Sequence, residues 1–179
     1  LGGLVKKTSL ALIAGAFVLS ATIAQADIRP AVVYDTAGKN DKSFNEAVFV
    51  GITKFMNDTG IAVTELEPTN ESMMEQSLKK LAQRGYSPVV AVGFTMANAV
   101  QAAAEEYPDT KFTLIDMVVG LPNVQNVIYK EHEGSFLVGV LAAMNSKSGT
   151  VGFVGGMDIP LISRFECGYK QGVKWQDSS

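Results

Sequence analysis

Ala31-Val32-Val33-Tyr34-Asp35-Thr36-Ala37-Gly38-Lys39-Asn40-Asp41-Lys42-Ser43-Phe44-Asn45 carries three structural instructions in succession. Residues 31–34 are a short apolar run with β-branched valines, the composition of a strand buried on both faces. Asp35 ends the run, and Gly38, Asn40 and Asp41 supply turn chemistry. Ser43-Phe44-Asn45-Glu46 then fits a capping box, with Ser43 at the N-cap and Glu46 three residues on. Strand, Gly-containing loop and capped helix in that order make the first half of a βαβ unit.

The same alternation repeats outward from this stretch. Apolar runs predict further strands over 61–66, 89–92, 112–115, 124–129 and 151–154, most bounded by Gly, Pro, Asn or Asp. Between them the spacing predicts helices over 43–58, 71–84, 96–106, 133–146 and 159–175. Ser72 and Glu75 form a second capping-box match; Leu78, Leu81 and Ala82 make an apolar stripe, and Gly85 fits a C-terminal stop. Strands alternating with helices of this length predict an α/β fold with a mainly parallel, doubly wound sheet. Gly149 lies where the chain would cross between lobes. The reading therefore divides the chain into an N-terminal α/β lobe, 27–149, and the start of a second lobe, 150–179.

Residues 1–26 read differently. Lys6 and Lys7 precede an apolar run, 10–24, that ends in Ala24-Gln25-Ala26. A positive start, a short apolar stretch and an A-x-A site predict a cleavable signal peptide, and the run is shorter than the ~20 residues a membrane span needs. Cleavage after Ala26 removes two lysines and moves the formal charge from −3 to −5. With 15 basic against 18 acidic residues, the chain has no electrostatic footprint for nucleic acid. A single cysteine, Cys167, excludes an intrachain disulfide framework, and a single histidine, His132, excludes His-rich metal centres. No metal or cofactor is expected.

In an open parallel sheet, ligands bind at the carboxyl ends of the strands. Those ends carry Asp35, Gly93-Phe94-Thr95, Asp116 and Gly155-Gly156-Met157-Asp158. Asp and Gly are also ordinary turn residues, so position alone leaves Asp35 and Asp116 open between ligand contact and loop chemistry. Phe44 is open too, as a core residue or as a platform on which a planar ligand stacks. Enzyme motifs are missing. Gly152 to Gly156 has the wrong spacing for a dinucleotide loop, and Ala37-Gly38-Lys39-Asn40 lacks the first P-loop glycine and the following Ser or Thr. Gly134-Ser135 sits inside a predicted helix rather than at a nucleophile elbow. His132 reads as an exposed residue near a helix start, and Cys167 as a half-buried helical residue.

Val32-Val33-Tyr34-Asp35 followed by Asp41-Lys42-Ser43-Phe44-Asn45 resembles the opening of the basic membrane protein (BMP) family, the PnrA-like substrate-binding proteins of ABC transporters. Glu133-Gly134-Ser135-Phe136-Leu137-Val138-Gly139 and Val151 to Pro160, continuing through Arg164-Phe165, resemble two further signatures in the same order. The resemblance implies a type I periplasmic-binding-protein fold, in which two α/β lobes close on a ligand, with the N-terminal lobe nearly complete and the second only begun. It implies a purine nucleoside or similar planar ligand, an ABC permease as partner and no catalysis. By motif position Phe44 resembles a stacking aromatic, Asp35 and Asn45 resemble polar base contacts, and Asp116 resembles a ribose ligand. The lipobox cysteine of many relatives is absent, which implies a soluble periplasmic protein after signal cleavage. Other readings are a receptor for a flavin, nucleobase or sugar-like ligand, and an exported nucleoside-acting hydrolase using Asp35 or Asp116 as base. An incomplete chain would expose apolar surface along 150–175.

Overall fold

Every residue of β1 (Ala31–Val33) is fully buried, because the strand has a neighbour on either side and helices over both faces. The computed structural model describes residues 28–177; the predicted signal peptide lies outside the described residues. After β1 come α1 (Phe44–Thr59), β2 (Thr64–Leu66), α2 (Glu71–Gln83) and β3 (Val89–Val92). A 3-10 turn (Phe94–Met96) leads into α3 (Ala97–Glu106), followed by β4 (Phe112–Ile115), β5 (Val124–Val127), α4 (Glu131–Asn145) and α5 (Pro160–Asp177). The sheet order is β2-β1-β3-β4-β5 and all neighbours run parallel, with Ala31 opposite Thr64 and Val89, and Phe112 opposite Val89 and Val124. The expected doubly wound parallel sheet is present.

Alternation along the strands sorts the core into two layers. Ala31, Val33, Val89, Ala91, Phe112 and Leu114 face α2 and α3, where Met74, Leu78, Leu81, Val100 and Ala103 meet them. Val32, Tyr34 and Val92 face the other way, against Phe44, Val48, Phe49 and Ile52 of α1. One sheet face thus carries two helices and the other carries α1. Thr113 and Ile115 on that second face stay half-buried, and this leaves a cleft beside α1.

Two capping expectations are corrected. Ser43 occupies the α1 N-cap position but makes no side-chain cap bond. Asp41 does that work: its carboxylate accepts N–H groups of Ser43 at 2.8 Å, Glu46 at 3.0 Å and Asn45 at 3.1 Å. A formal charge beside several free N–H donors outcompetes a hydroxyl. Desolvation pushes the Asp41 carboxyl up, yet the N–H donors of Glu46, Asn45 and Ser43 outweigh it and hold it below its ordinary value. At α2 the cap is Asn70, whose Oδ1 accepts from Met73 N–H at 3.1 Å, and Ser72 donates its hydroxyl to the same oxygen. Glu75 instead pairs with Lys79 one turn on. The Gly85 stop is present: Gly85 (φ +74) donates to the Ala82 carbonyl and Tyr86 to Leu81, a Schellman ending.

The expected sixth strand over 151–154 is not formed. It has no strand partner among the described residues, and Val154 is 97% exposed. A strand is stabilised by its neighbour's hydrogen bonds, so an apolar run without one stays irregular. β2 is shorter than expected because only residues 64–66 reach β1, and α4 starts at 131 rather than 133. Helix α4 packs on α5 rather than along the sheet. Their contact is backbone to backbone: a Cβ at Gly139, Gly168 or Gly172 would overlap the carbonyl of Tyr169, His132 or Phe136 respectively. Leu137, Val138, Leu141 and Met144 are left exposed on the outer side of α4. Cys167 is exposed on α5, not half-buried as expected, while His132 is exposed in the first turn of α4 as expected.

Candidate functional site

Asp35 sits where β1 ends, and three neighbours hold it. Ala37 N–H donates to its Oδ1 at 2.9 Å, closing a tight local turn. Asn45 Nδ2 donates to the same oxygen at 2.6 Å and to the Gly38 carbonyl at 3.0 Å. Asn45 is 1% exposed, so its amide group is committed to the β1–α1 loop, and its Oδ1 is buried without a partner. On the other side stands Gly93 with φ +98; a Cβ there would lie 3.3 Å from Asp35 Oδ2 and 3.9 Å from Phe44 Cε1. Glycine therefore serves twice, adopting left-handed backbone and leaving room for a carboxylate beside an aromatic ring. Lys39, the lysine of the rejected P-loop match, is tied to Glu65 at 3.1 Å and stands over the Phe49 ring.

Phe44 opens onto the cleft left by the half-covered sheet face. The cavity is about 720 Å³ and is walled by Phe44, Val48, Gly51 and Ile52 of α1, by Val90, Thr113 and Ile115 of the sheet, and by Asp116, Tyr129 and Phe165. That volume lies within the range of small-molecule sites, which are mostly apolar with a few placed polar groups. Asp116 is the carboxylate among the lining residues. It adopts φ +72, a left-handed conformation that Asp tolerates better than most residues, and its N–H donates to the Val127 carbonyl at 2.8 Å. Burial pushes its carboxyl above the ordinary value of 3.8; the Glu131 charge adds to this and Arg164 works against it. Glu131, in the first turn of α4, accepts from Arg164 Nε with Oε1, and its Oε2 is buried without a partner.

The structure thus brings Phe44 and Asp116 into one cleft and sets Asp35, Asn45 and Gly93 in a linked network beside Phe44. Gly155 to Asp158 does not join the cleft wall. Tyr129 and Phe165 are cleft residues that the strand-end reading did not pick out. Tyr129 could have been found, since it closes the apolar run 124–129, but Phe165 lies inside a helix and has no local signature of its role. Among the described residues, no group of three or more His, Cys, Asp or Glu is placed to hold a metal ion, and no helix is long and apolar enough to cross a membrane.

A sequence model of the Bmp family, described as ABC transporter substrate-binding protein PnrA-like, matches residues 28–179. The chain belongs to this family. Among its Bmp relatives, the ABC transporter nucleoside-binding protein BmpA of Lactococcus lactis is 32% identical over 153 residues, covering 83% of this chain and 44% of BmpA. A lipoprotein of Pyrococcus furiosus is 34% identical over 154 residues, covering 83% of this chain and 39% of the relative. The crystal structure of an ABC transporter solute-binding protein from Aeropyrum pernix superposes with a TM-score of 0.75 at 31% identity, covering 84% of this chain and 44% of that one. The Bmp chain described here has the type I periplasmic-binding-protein architecture in its parallel sheet and flanking helices. It spans about two fifths of the length of the relatives it matches.

Proposed function

We propose that this chain belongs to a periplasmic receptor that binds a purine nucleoside between two lobes and hands it to an ABC importer, without catalysis. The observation that carries this reading is the pairing of an aromatic ring, Phe44, with a carboxylate at a strand's carboxyl end, Asp116, in one apolar cleft along the half-covered face of a parallel sheet. A nucleoside has a flat base and a sugar with vicinal hydroxyls. The base stacks on Phe44 and the hydroxyls donate to Asp116. Asp35 takes donors of the base edge. Asn45 acts through Asp35, because both hydrogens of its amide are engaged and its Oδ1 is buried. The name of the Lactococcus lactis relative, nucleoside-binding, supports the ligand class.

The packing supports a lobe boundary earlier than Gly149. The sheet unit runs to Tyr129, and α4 with α5 opens the second lobe. The exposed Leu137, Val138, Leu141 and Met144 fit a helix whose outer face belongs in that lobe's interior. Closure of the second lobe over Phe44 and Asp116 removes water and strengthens both contacts.

Thermal denaturation of the full-length natural protein with adenosine, guanosine, inosine and cytidine tests the reading. Ligand at 100 times Kd stabilises the folded state by about 2.7 kcal/mol. The purine nucleosides raise the melting temperature, and prolonged incubation releases no free base. A flat response to all four nucleosides would sink the proposal, and free base in the supernatant would turn the receptor into a hydrolase.

A further inference from the structure

The β1–α1 loop that presents Asp35 is held from two sides. On the inner side Asp35 takes donors on Oδ1, from Ala37 N–H and Asn45 Nδ2, which leaves Oδ2 as the oxygen beside Gly93 and the Phe44 ring. Asn45 completes this arrangement through the Gly38 carbonyl, which accepts its second amide hydrogen at 3.0 Å. On the outer side the end of the edge strand β2 grips the same turn. Lys39 N–H donates to Glu67 Oε2 at 3.0 Å, and Lys39 Nζ lies 3.1 Å from Glu65 Oε2 and 3.9 Å from Glu67 Oε1. Glu65 is itself fixed, because the same oxygen accepts the hydroxyl of the fully buried Tyr34 at 3.1 Å. Lys39 Nζ also stands 4.9 Å from the centroid of the Phe49 ring in α1. One side chain thus joins loop, edge strand and helix. The turn is tight at Gly38, where φ is +70 and a Cβ would lie 3.0 Å from Glu67 Oε2.

We propose that Lys39, with Glu65 and Glu67, is a positioning clasp for Asp35: it holds the Gly38 carbonyl where Asn45 needs it, and so sets the carboxylate that meets the ligand's base edge. The effect on binding rests on the nucleoside reading; the clasp itself does not. None of the three residues lines the cleft, so they act at one remove, through Gly38 and Asn45. The Lys39 and Glu65 side chains are 26% and 19% exposed, and water screens their pairing only in part. A binding group left loose in the free protein must be ordered by the ligand, and that ordering is subtracted from the affinity. A carboxylate held before the ligand arrives avoids the loss.

Three variants of the full-length natural protein test this. Lys39→Met keeps an apolar stem and removes the charge, Lys39→Arg keeps the charge, and Glu67→Ala removes the acceptor of Lys39 N–H. The Asn45 side-chain amide is followed by nitrogen NMR in the ligand-free state, with Asn45→Asp used to assign its signals. In the wild type both hydrogens are bonded and the residue is 1% exposed, so they exchange slowly. In Lys39→Met and Glu67→Ala the hydrogen bonded to Gly38 loses its downfield shift and exchanges several times faster. Adenosine affinity, by calorimetry, falls about two- to fivefold in Lys39→Met and about tenfold in Glu67→Ala. Lys39→Arg restores both readouts. A pair that only stabilises the fold would lower the melting temperature and leave the Asn45 signals and the affinity as in the wild type, and that result overturns the proposal. So does wild-type affinity in both variants alongside shifted signals. If the signals respond as expected but adenosine does not bind even the wild type, the nucleoside reading falls and the clasp stands.

Discussion

Phe44 shows how one side chain can hold two roles that sequence alone leaves as alternatives. Its ring packs with Val32, Tyr34 and Val92 beneath α1, and its edge faces the cleft beside Gly93. Phe44→Ala is accordingly expected to weaken nucleoside binding roughly five- to hundredfold, the worth of one base stacked on an aromatic. It also lowers the melting temperature, whereas Phe44→Trp restores most of the binding; calorimetry on the three proteins measures both effects. Asp116 carries the opposite trade. Its raised folded-state pKa means the native state favours the proton more than the unfolded chain does, so ionisation at neutral pH costs stability. Asp116→Asn, which also tolerates φ +72, should melt higher than wild type at pH 7 and bind nucleoside more weakly. The stability difference shrinks as pH falls through the raised midpoint and is gone below the ordinary Asp value of 3.8, where both states of the wild type are protonated. A melting series from pH 3 to pH 8 would reveal it, and a gap that widens towards low pH would contradict this account.

At the scale of elements, hydrophobic period was a better guide than cap motifs. The strands over 89–92 and 112–115 and the helices α1 to α3 fall where the apolar spacing puts them, because burial on a sheet or helix face repeats with the backbone. The caps did not follow the S-x-x-E pattern. That pattern sees residue type and spacing, while the N–H donors of α1 respond to whichever acceptor lies within reach, and Asp41 in the preceding loop reaches three of them. Asn123 carries no local signature of its role for a related reason. It is 6% exposed, and its Nδ2 donates to the carbonyls of Ala104, Thr110 and Tyr107 at 3.0, 3.1 and 3.2 Å, clamping the end of α3 to the start of β5. A buried asparagine between a turn and a strand looks like turn chemistry until its partners are visible. Asn123→Ala leaves those carbonyls short of a donor and should destabilise the protein by about 2–3 kcal/mol. Urea denaturation gives this number directly, with the slope unchanged.

For the whole molecule, the contrast is between a finished unit and an open one. The sheet and α1 to α3 bury their core, whereas α4 and α5 share a close glycine contact and, with the irregular run 151–154, leave apolar side chains bare. Produced alone, these 179 residues are expected to bind a hydrophobic dye and to melt in a broader transition than the full-length protein. Replacing Leu137 and Leu141 by Glu should abolish most of the dye signal while leaving the sheet unit's transition in place. Dye binding that survives this change would locate the exposed surface elsewhere.

Sequence by itself determined the α/β class, the parallel sheet, the strand-end positions of Asp35 and Asp116 and the resemblance to the Bmp family. All of these are written locally, in apolar period, turn residues and short motifs. Tertiary structure decided which strands have partners, so that 151–154 stays irregular although its composition suits a strand. It also decided that Asn45 spends its amide on Asp35, and that Phe44, Asp116, Tyr129 and Phe165 share one cleft across more than a hundred residues of chain. The physical reason is that periodicity records whether a residue is buried, while the identity of what buries it depends on packing between distant elements.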